Sequence, residues 1–170
     1  MGLELITSLR ATRAFTSAPV TRDQVTAVLE AARWAGSARN RQPWRFVVVR
    51  HRGLLGELSR LGAYAGHLAG APVAVLLAVD ATLSTEDAEF DAGRAAQNLM
   101  LAAHALGLGS CPASFFPAAN ARAATALAGL GEPWRIRTGI SLGHPAPAPG
   151  GTPAIPQGRL PPADLVIELS

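Results

Sequence analysis

The sequence predicts an α+β fold, a mixed α/β sandwich in which helices surround a central, mainly antiparallel sheet. Two observations predict it. Helical periodicities and short apolar runs follow one another without the strict alternation typical of a parallel α/β sheet. The chain has 170 residues, of which 49% are hydrophobic, and this size and composition favour a single core. We therefore expect one domain over residues 1–170.

The elements of the first half follow from local signals. Apolar residues at helical spacing predict a short helix over residues 3–13. Thr21 and Gln24 have the spacing of a capping box, which predicts a second helix that ends near Trp34. The remaining elements of this half are a polar loop over 36–43, a short buried strand over 46–49 and a helix over 54–61.

The second half opens with the most hydrophobic run of the chain. Residues 73–79 are apolar on both faces, which predicts a central strand. A long helix over 87–106 follows, with a face of small residues, and Gly107 and Gly109 are expected to end it. The next elements are a short helix over 119–130 and a strand over 136–143.

The C-terminal residues 145–170 read as an extended arm. Prolines crowd the stretch from 145 to 162, which shows no periodicity, whereas residues 165–169 have the composition of a strand. An arm that finishes in a strand is expected to dock elsewhere, and a second protomer is the natural acceptor.

Composition excludes several classes of protein. The single cysteine, Cys111, rules out a disulfide scaffold, and the four histidines lack the spacing of a metal site. No run approaches the ~20 apolar residues of a membrane span, and the N-terminus lacks a basic secretory start, so we expect a cytoplasmic protein without membrane contact. All 15 basic residues are arginines; their clustering suits a phosphate-bearing ligand or a nucleic acid, but aromatic residues that could stack on bases are scarce.

Three polar segments are candidates for ligand binding. Arg10 and Arg13 are three residues apart at the end of the first predicted helix, a spacing that suits a grip on phosphate. Residues 37–44 are dense in amide donors and acceptors, and residues 156–161 hold one arginine between prolines. Taken singly, the first segment is better explained as a solvated helix face. The second is equally well explained as an ordinary connector, and the alternative for the third is a flexible linker.

Taken together and in this order, these segments resemble the FMN-dependent nitroreductase-like family. The resemblance covers nearly the whole chain, and its most specific features are an Asn-x-Gln-Pro-Trp stretch at 40–44 and a Gln-Asn-Leu helix at 97–99 that leads to Gly-Leu-Gly at 107–109. Where the family usually has two consecutive basic residues followed by serine, this chain has Leu9, Arg10 and Ala11.

The resemblance implies a homodimer with two FMN sites at its interface and a C-terminal strand exchanged between protomers. It implies that Arg10 and Arg13 grip FMN and that the loop with Ser37, Asn40 and Gln42 reaches the flavin from the other protomer. The remaining cofactor-binding residues that it implies are Ala11, His67 near the ring, Ala113 and Ser114 with backbone groups near N5, and Gln157 and Arg159 at the phosphate end.

The activity that the resemblance implies is transfer of electrons from NAD(P)H, through FMN, to nitroaromatic, quinone or similar small organic acceptors by a ping-pong mechanism. No protein residue is expected to be catalytic, because the flavin N5 carries the chemistry, and no metal or nucleic acid is expected. Two alternatives stay open: a flavin-binding protein of the same fold with little or no turnover, and a basic nucleic-acid-binding module.

Overall fold

A computed structural model describes residues 2–83, 85–147 and 158–169 of the chain. Its sheet has four antiparallel strands in the order β1-β2-β4-β3. The strands are β1 (Trp44–Val49), β2 (Val73–Asp80), β3 (Gly109–Ser114) and β4 (Trp134–Gly143). The helices are α1 (Glu4–Ser8), α2 (Arg22–Arg33), α3 (Arg52–Leu58), α4 (Thr85–Ala105) and α5 (Ala118–Leu127). The predicted mixture of helices and an antiparallel sheet is confirmed.

The strand β2 divides the core into two layers. Its odd-numbered residues from Val73 to Val79 pack with the buried faces of α2 and α4, whereas Ala74, Leu76 and Ala78 pack with α3 and α5 on the other face. All residues from Val73 to Val79 are buried. This is the burial expected of a central strand, because successive side chains point to opposite faces of a covered sheet.

Helix α2 begins as the sequence predicts. The Thr21 hydroxyl accepts from the Gln24 amide at 3.1 Å, and the Gln24 side chain accepts from the Thr21 amide at 2.9 Å. Both halves of the capping box are therefore formed. Val25, Val28 and Ala32 are buried along one face of the helix, as their spacing predicts.

Three predictions for the N-terminal half and the middle of the chain are wrong. The first helix ends at Ser8 rather than at residue 13. The strand over residues 46–49 lies at an edge of the sheet and is only partly buried, since Val48 is 39% exposed. Gly109 opens the strand β3 rather than capping α4, whose left-handed cap is Gly107 at φ 74°.

The strand expected at residues 165–169 is not formed in the single chain. A 3₁₀ turn at Pro162–Asp164 precedes it, and Leu165, Val166, Ile167 and Leu169 are between 58% and 94% exposed. A strand exists only where a neighbour completes its hydrogen bonds, and none of the described strands of the same chain pairs with this segment.

Candidate functional site

The segment that carries Arg10 and Arg13 is extended and runs beside β3. Ala11 and Ser110 form a parallel bridge, and the Thr12 amide donates to the Ser110 carbonyl at 2.8 Å. Gly109 makes this approach possible, because a Cβ there would lie 2.5 Å from the Thr12 side chain. The expectation that both arginines lie on the end of the first helix is therefore wrong, since α1 ends at Ser8 and pairing with β3 replaces the helical hydrogen bonds.

The two arginines of this segment differ in what they contact. A guanidinium nitrogen of Arg10 donates to the carbonyls of Thr7 at 2.6 Å and Leu9 at 2.9 Å, at the end of α1. Arg10 also lines a cleft of about 280 Å³ between this segment and the end of α4. The Arg13 side chain is exposed and forms no hydrogen bond with any residue that the structure describes. Its guanidinium is therefore available to a ligand.

Beside Arg13 lies a small polar cluster within an apolar core. His67 Nδ1 lies 2.8 Å from the Ser141 hydroxyl, which in turn lies 3.3 Å from the Cys111 carbonyl oxygen. If the Ser141 hydroxyl donates to that carbonyl, it accepts from Nδ1–H, which leaves His67 Nε2 as the free acceptor. That Nε2 atom and the Ser110 hydroxyl are buried without a hydrogen-bond partner among the described residues. Such orphaned groups require an explanation.

Burial and the charge of Arg13 control the ionisation of this cluster. Burial lowers the pKa of His67 from its ordinary value, and the positive charge of Arg13 lowers it further, against a smaller opposite effect of the Pro112 backbone. Burial raises the pKa of the Cys111 thiol, with Arg13 acting in the opposite direction. His67 is therefore neutral and Cys111 a thiol near pH 7.

The strand β3 presents backbone groups at an open edge. The Phe115 amide donates to the Arg137 carbonyl at 2.8 Å, and antiparallel pairs alternate between bonded and non-bonded. In the register of β3 with β4, Ala113 therefore forms a hydrogen-bonded pair with Gly139. The backbone N–H and C=O groups of Ser110 and Ser114 and the carbonyl of Pro112 point away from β4. Proline has no N–H, so the outward donor of the 112–114 segment is the Ser114 amide.

The predicted loop with Ser37, Asn40 and Gln42 lies elsewhere on the molecule. It contains a single 3₁₀ turn, Ala38–Asn40. Arg39, Asn40 and Gln42 have φ values of 53°, 54° and 49°. Three residues other than glycine in the left-handed region within four positions mark a loop that its surroundings hold in place.

This loop and the arginine segment contact helix α4 at well-separated positions. The Ala38 amide contacts α4 at Asp91, and the Ser8 hydroxyl contacts it at His104. Those two α4 residues are thirteen positions apart, about 20 Å at the rise of an α-helix. The loop leads into β1 and the arginine segment flanks β3, so the two also lie at opposite edges of the sheet, about 14 Å apart across the strands.

Among the C-terminal candidates, Gln157 lies outside the described residues. Arg159 is exposed, and its guanidinium donates to the Gly158 carbonyl at 2.7 Å. Gly158 has a φ of 103°, a conformation open to glycine. No hydrogen bond joins Arg159 to the sheet or helices that the structure describes.

Sequence reasoning missed three residues of these two regions. Ser141 holds His67 in the buried cluster, Ser110 adds an unpartnered hydroxyl to it, and Asp91 holds the loop. A serine between Ile140 and Leu142 in an apolar strand was a usable signal for Ser141. Nothing local marks Asp91, because an acid in a long amphipathic helix is ordinarily solvated.

Two features, a membrane-spanning helix and a metal-binding cluster, are absent from the described part of the chain. No helix there is long and apolar enough to cross a membrane. No group of three or more His, Cys, Asp or Glu side chains lies close enough to hold a metal ion within residues 2–83, 85–147 and 158–169.

Comparison with known proteins finds a matching family model and two similar relatives. The family model described as "Nitroreductase family" matches residues 6–60 and 57–144. A protein of Archaeoglobus fulgidus named "Putative NADH dehydrogenase/NAD(P)H nitroreductase" is 31% identical over 147 residues, covering 84% of each chain. A protein of the same name from Methanothermobacter thermautotrophicus is 32% identical over 151 residues, 87% of this chain and 79% of that protein.

A solved structure extends the similarity over nearly the full length. It is described as a "putative nitroreductase in complex with FMN" from Desulfovibrio desulfuricans. The two chains superpose with a TM-score of 0.84 at 31% identity, covering 99% of this chain and 96% of the other.

Proposed function

Because the chain belongs to the nitroreductase family, we propose that it binds FMN and transfers electrons from NAD(P)H to small organic acceptors such as nitroaromatics or quinones. The two substrates would use the same site in turn, by a ping-pong mechanism. The observation that carries the proposal is the grouping of polar groups at the edge of β3. They are the Arg13 guanidinium, the Ser114 amide, and the unpartnered His67 Nε2 and Ser110 hydroxyl.

The groups at this edge fit the chemistry of FMN. A guanidinium suits a phosphate or an electron-rich carbonyl, and an outward backbone N–H suits an acceptor nitrogen such as flavin N5. The buried and unpartnered His67 Nε2 and Ser110 hydroxyl can accept or donate hydrogen bonds at the same edge. The relative from Desulfovibrio desulfuricans was solved in complex with FMN. We therefore assign Arg10, Ala11, Arg13, His67, Ala113 and Ser114 to one half of a cofactor site.

The other half of the site would come from a second copy of the chain. Ser37, Asn40 and Gln42 lie about 20 Å along α4 from Ser8 and at the other edge of the sheet. Two halves so far apart in one protomer can meet on one flavin more easily across a two-fold interface. We therefore propose a homodimer with two FMN sites.

The C-terminal arm would contribute to the same dimer. We propose that residues 1–170 form a single domain with 145–170 as its C-terminal arm. The arm begins against Ala14 and Phe15 of its own chain and would carry the segment from Leu165 to Leu169 onto the partner, where it pairs as an exchanged strand. Its support is the exposure of four apolar side chains in a segment that one chain leaves without a strand partner. Gln157 and Arg159 would then approach the phosphate end of the cofactor.

The hydride and electron chemistry would be supplied by FMN when it is bound. Arg13 would hold a positive charge where negative charge develops during reduction, and the Ser114 amide would orient the ring. His67, which is neutral and held by Ser141, would lie beside the flavin ring. No protein residue needs to act as a general acid or base. Replacing Arg13 by a neutral residue should therefore lower the reduction potential of the bound flavin.

The direct test is the absorbance spectrum of the purified protein before and after anaerobic NAD(P)H. The proposal expects a yellow protein that NAD(P)H bleaches and that an added nitroaromatic or quinone restores. A colourless protein that takes up no added FMN refutes it. Colourless protein with salt-dependent nucleic-acid affinity would favour the basic binding module instead.

One observation favours a second candidate, a flavin-binding protein with little turnover. Arg10 already donates to two backbone carbonyls, and its neighbours Leu9 and Ala11 offer neither a cation nor a hydroxyl. This arrangement weakens the phosphate grip. A yellow protein that NAD(P)H and acceptors leave unchanged would identify this candidate.

A further inference from the structure

Helix α4 buries one carboxylate that the proposed chemistry does not use. Asp91 is 4% exposed, and buried carboxylates are rare unless they are paired. Its Oδ2 accepts a hydrogen bond from the Ala38 amide at 2.8 Å, and its Oδ1 lies 3.7 Å from a guanidinium nitrogen of Arg94. The carboxylate therefore joins α4 to the loop from Ser37 to Gln42.

The loop that Asp91 contacts has a conformation that must be imposed from outside. Arg39, Asn40 and Gln42 all have positive φ, and side-chain-bearing residues populate that region sparsely. Within the loop, the Gln42 amide donates to the Ser37 hydroxyl at 2.9 Å. The bond from Ala38 to Asp91 is the one described side-chain hydrogen bond that ties the loop to a helix.

The surroundings of Asp91 are shaped around this bond. Arg94 lies against Gly36, where a Cβ would come within 2.9 Å of its guanidinium. The arginine thus reaches the carboxylate from the solvent side, with its own side chain 49% exposed. The carboxylate therefore has a backbone donor at one oxygen and a cation beside the other.

From this geometry we infer that Asp91 is a positioning residue, which holds the Ser37–Gln42 loop in the shape that binds flavin. The inference rests on the proposed function, in which that loop completes the cofactor site of the partner protomer. Asp91 then acts through the Ala38 amide and touches neither cofactor nor substrate. A residue in the N-terminal half of α4 would thus set the affinity of a site in the other subunit.

Two substitutions of Asp91 and one control separate this role from simple stability. Asp91→Ala removes the acceptor, whereas Asp91→Asn keeps an oxygen that can accept from Ala38 without its charge. Glu86→Ala is the matched control, because Glu86 is an exposed acid on the same helix. FMN affinity is measured by flavin fluorescence on the apoprotein, together with Tm and amide hydrogen exchange of the loop.

We expect Asp91→Ala to weaken FMN binding at least about tenfold, as the loss of a charge-assisted hydrogen bond predicts. Exchange of loop amides should speed up in the apoprotein, which reports the loop without any cofactor. The FMN affinity and loop exchange rate of Asp91→Asn should fall between those of Asp91→Ala and the wild type. Glu86→Ala should match the wild type in both.

The outcomes separate the two proposals. If Asp91→Ala lowers Tm while FMN affinity and loop exchange stay at wild-type values, Asp91 is only structural and the inference is overturned. If Asp91→Ala does not fold, wild-type affinity in Asp91→Asn overturns it equally. If the wild-type protein itself binds no FMN, the proposed function fails, and the inference fails with it.

Discussion

A site shared between protomers can be tested by mixing two defective chains. One variant, Arg13→Glu, damages the half-site beside β3, and the other, Asn40→Ala with Gln42→Ala, damages the loop. The two regions are separated by about 20 Å along α4 and lie at opposite sheet edges. If they meet only across the interface, a mixed dimer has one site with both defects and one intact site.

The size of the effect follows from counting sites. The Arg13→Glu homodimer should bind FMN at least about tenfold more weakly than wild type, because a hydrogen bond to a charged group contributes roughly 1.5–3 kcal/mol. The loop homodimer should lose a similar amount, because it loses two neutral hydrogen-bonding side chains at roughly 1 kcal/mol each. Random pairing of equal pools makes about half of all dimers mixed. With one intact site in each mixed dimer, about a quarter of all sites recover wild-type affinity.

The assay is an FMN titration of the two co-expressed chains, with each homodimer as the control. A tight phase near a quarter of the total sites supports the shared site. In the opposite arrangement, with both halves in one chain, every site of a mixed dimer carries one defect. A co-expressed sample without any tight phase, from chains that do form mixed dimers, refutes the shared site.

Three further predictions concern stability and assembly. The pKa of His67 is lowered in the folded state, so the unfolded chain binds the proton more readily. The free energy of unfolding should therefore fall as the pH drops below about 6.5. Denaturant titrations of His67→Gln and the wild type should show that the substitution removes this part of the pH dependence. Gly62→Ala places a Cβ 2.3 Å from a carbonyl oxygen of β3, whereas Gly66→Ala meets nothing within 4 Å. The first should lower Tm by about 3–10 °C and weaken FMN binding, and the second should change neither; equal Tm values would contradict this reading of the packing. Deletion of residues 148–170 should leave cooperative unfolding but convert dimer to monomer in sedimentation velocity, and an unchanged dimer would exclude the arm from the interface.

Elements that depend on neighbouring residues were predictable from sequence. The capping box of Thr21 and Gln24, the buried face of α2 and the length of α4 are set by contacts within a few residues. The central position of β2 follows from its unbroken apolar composition. In each case the sequence signal and the stabilising contact lie in the same segment.

Elements that depend on distant pairing were not predictable in the same way. The strand β3 contains glycine, proline and serine and no β-branched residue, and it exists because β4 lies beside it. The Arg13 segment leaves its helix because Ser110 and His144 accept its amides at 2.8 and 2.9 Å. Propensity gives way where tertiary hydrogen bonds compete with the local ones.

The candidate site shows the same division at the level of side chains. The arginines and amide-rich loop are visible in sequence because their composition is unusual for their surroundings. Asp91 is not, and the isolated Ser141 does not reveal its partner, since their roles depend on contacts with Ala38, 53 positions away, and with His67, 74 positions away. The role of a positioning residue depends on which distant residue the fold brings into contact with it. The positioning residues of a shared site are therefore harder to find from sequence than the residues that meet the ligand.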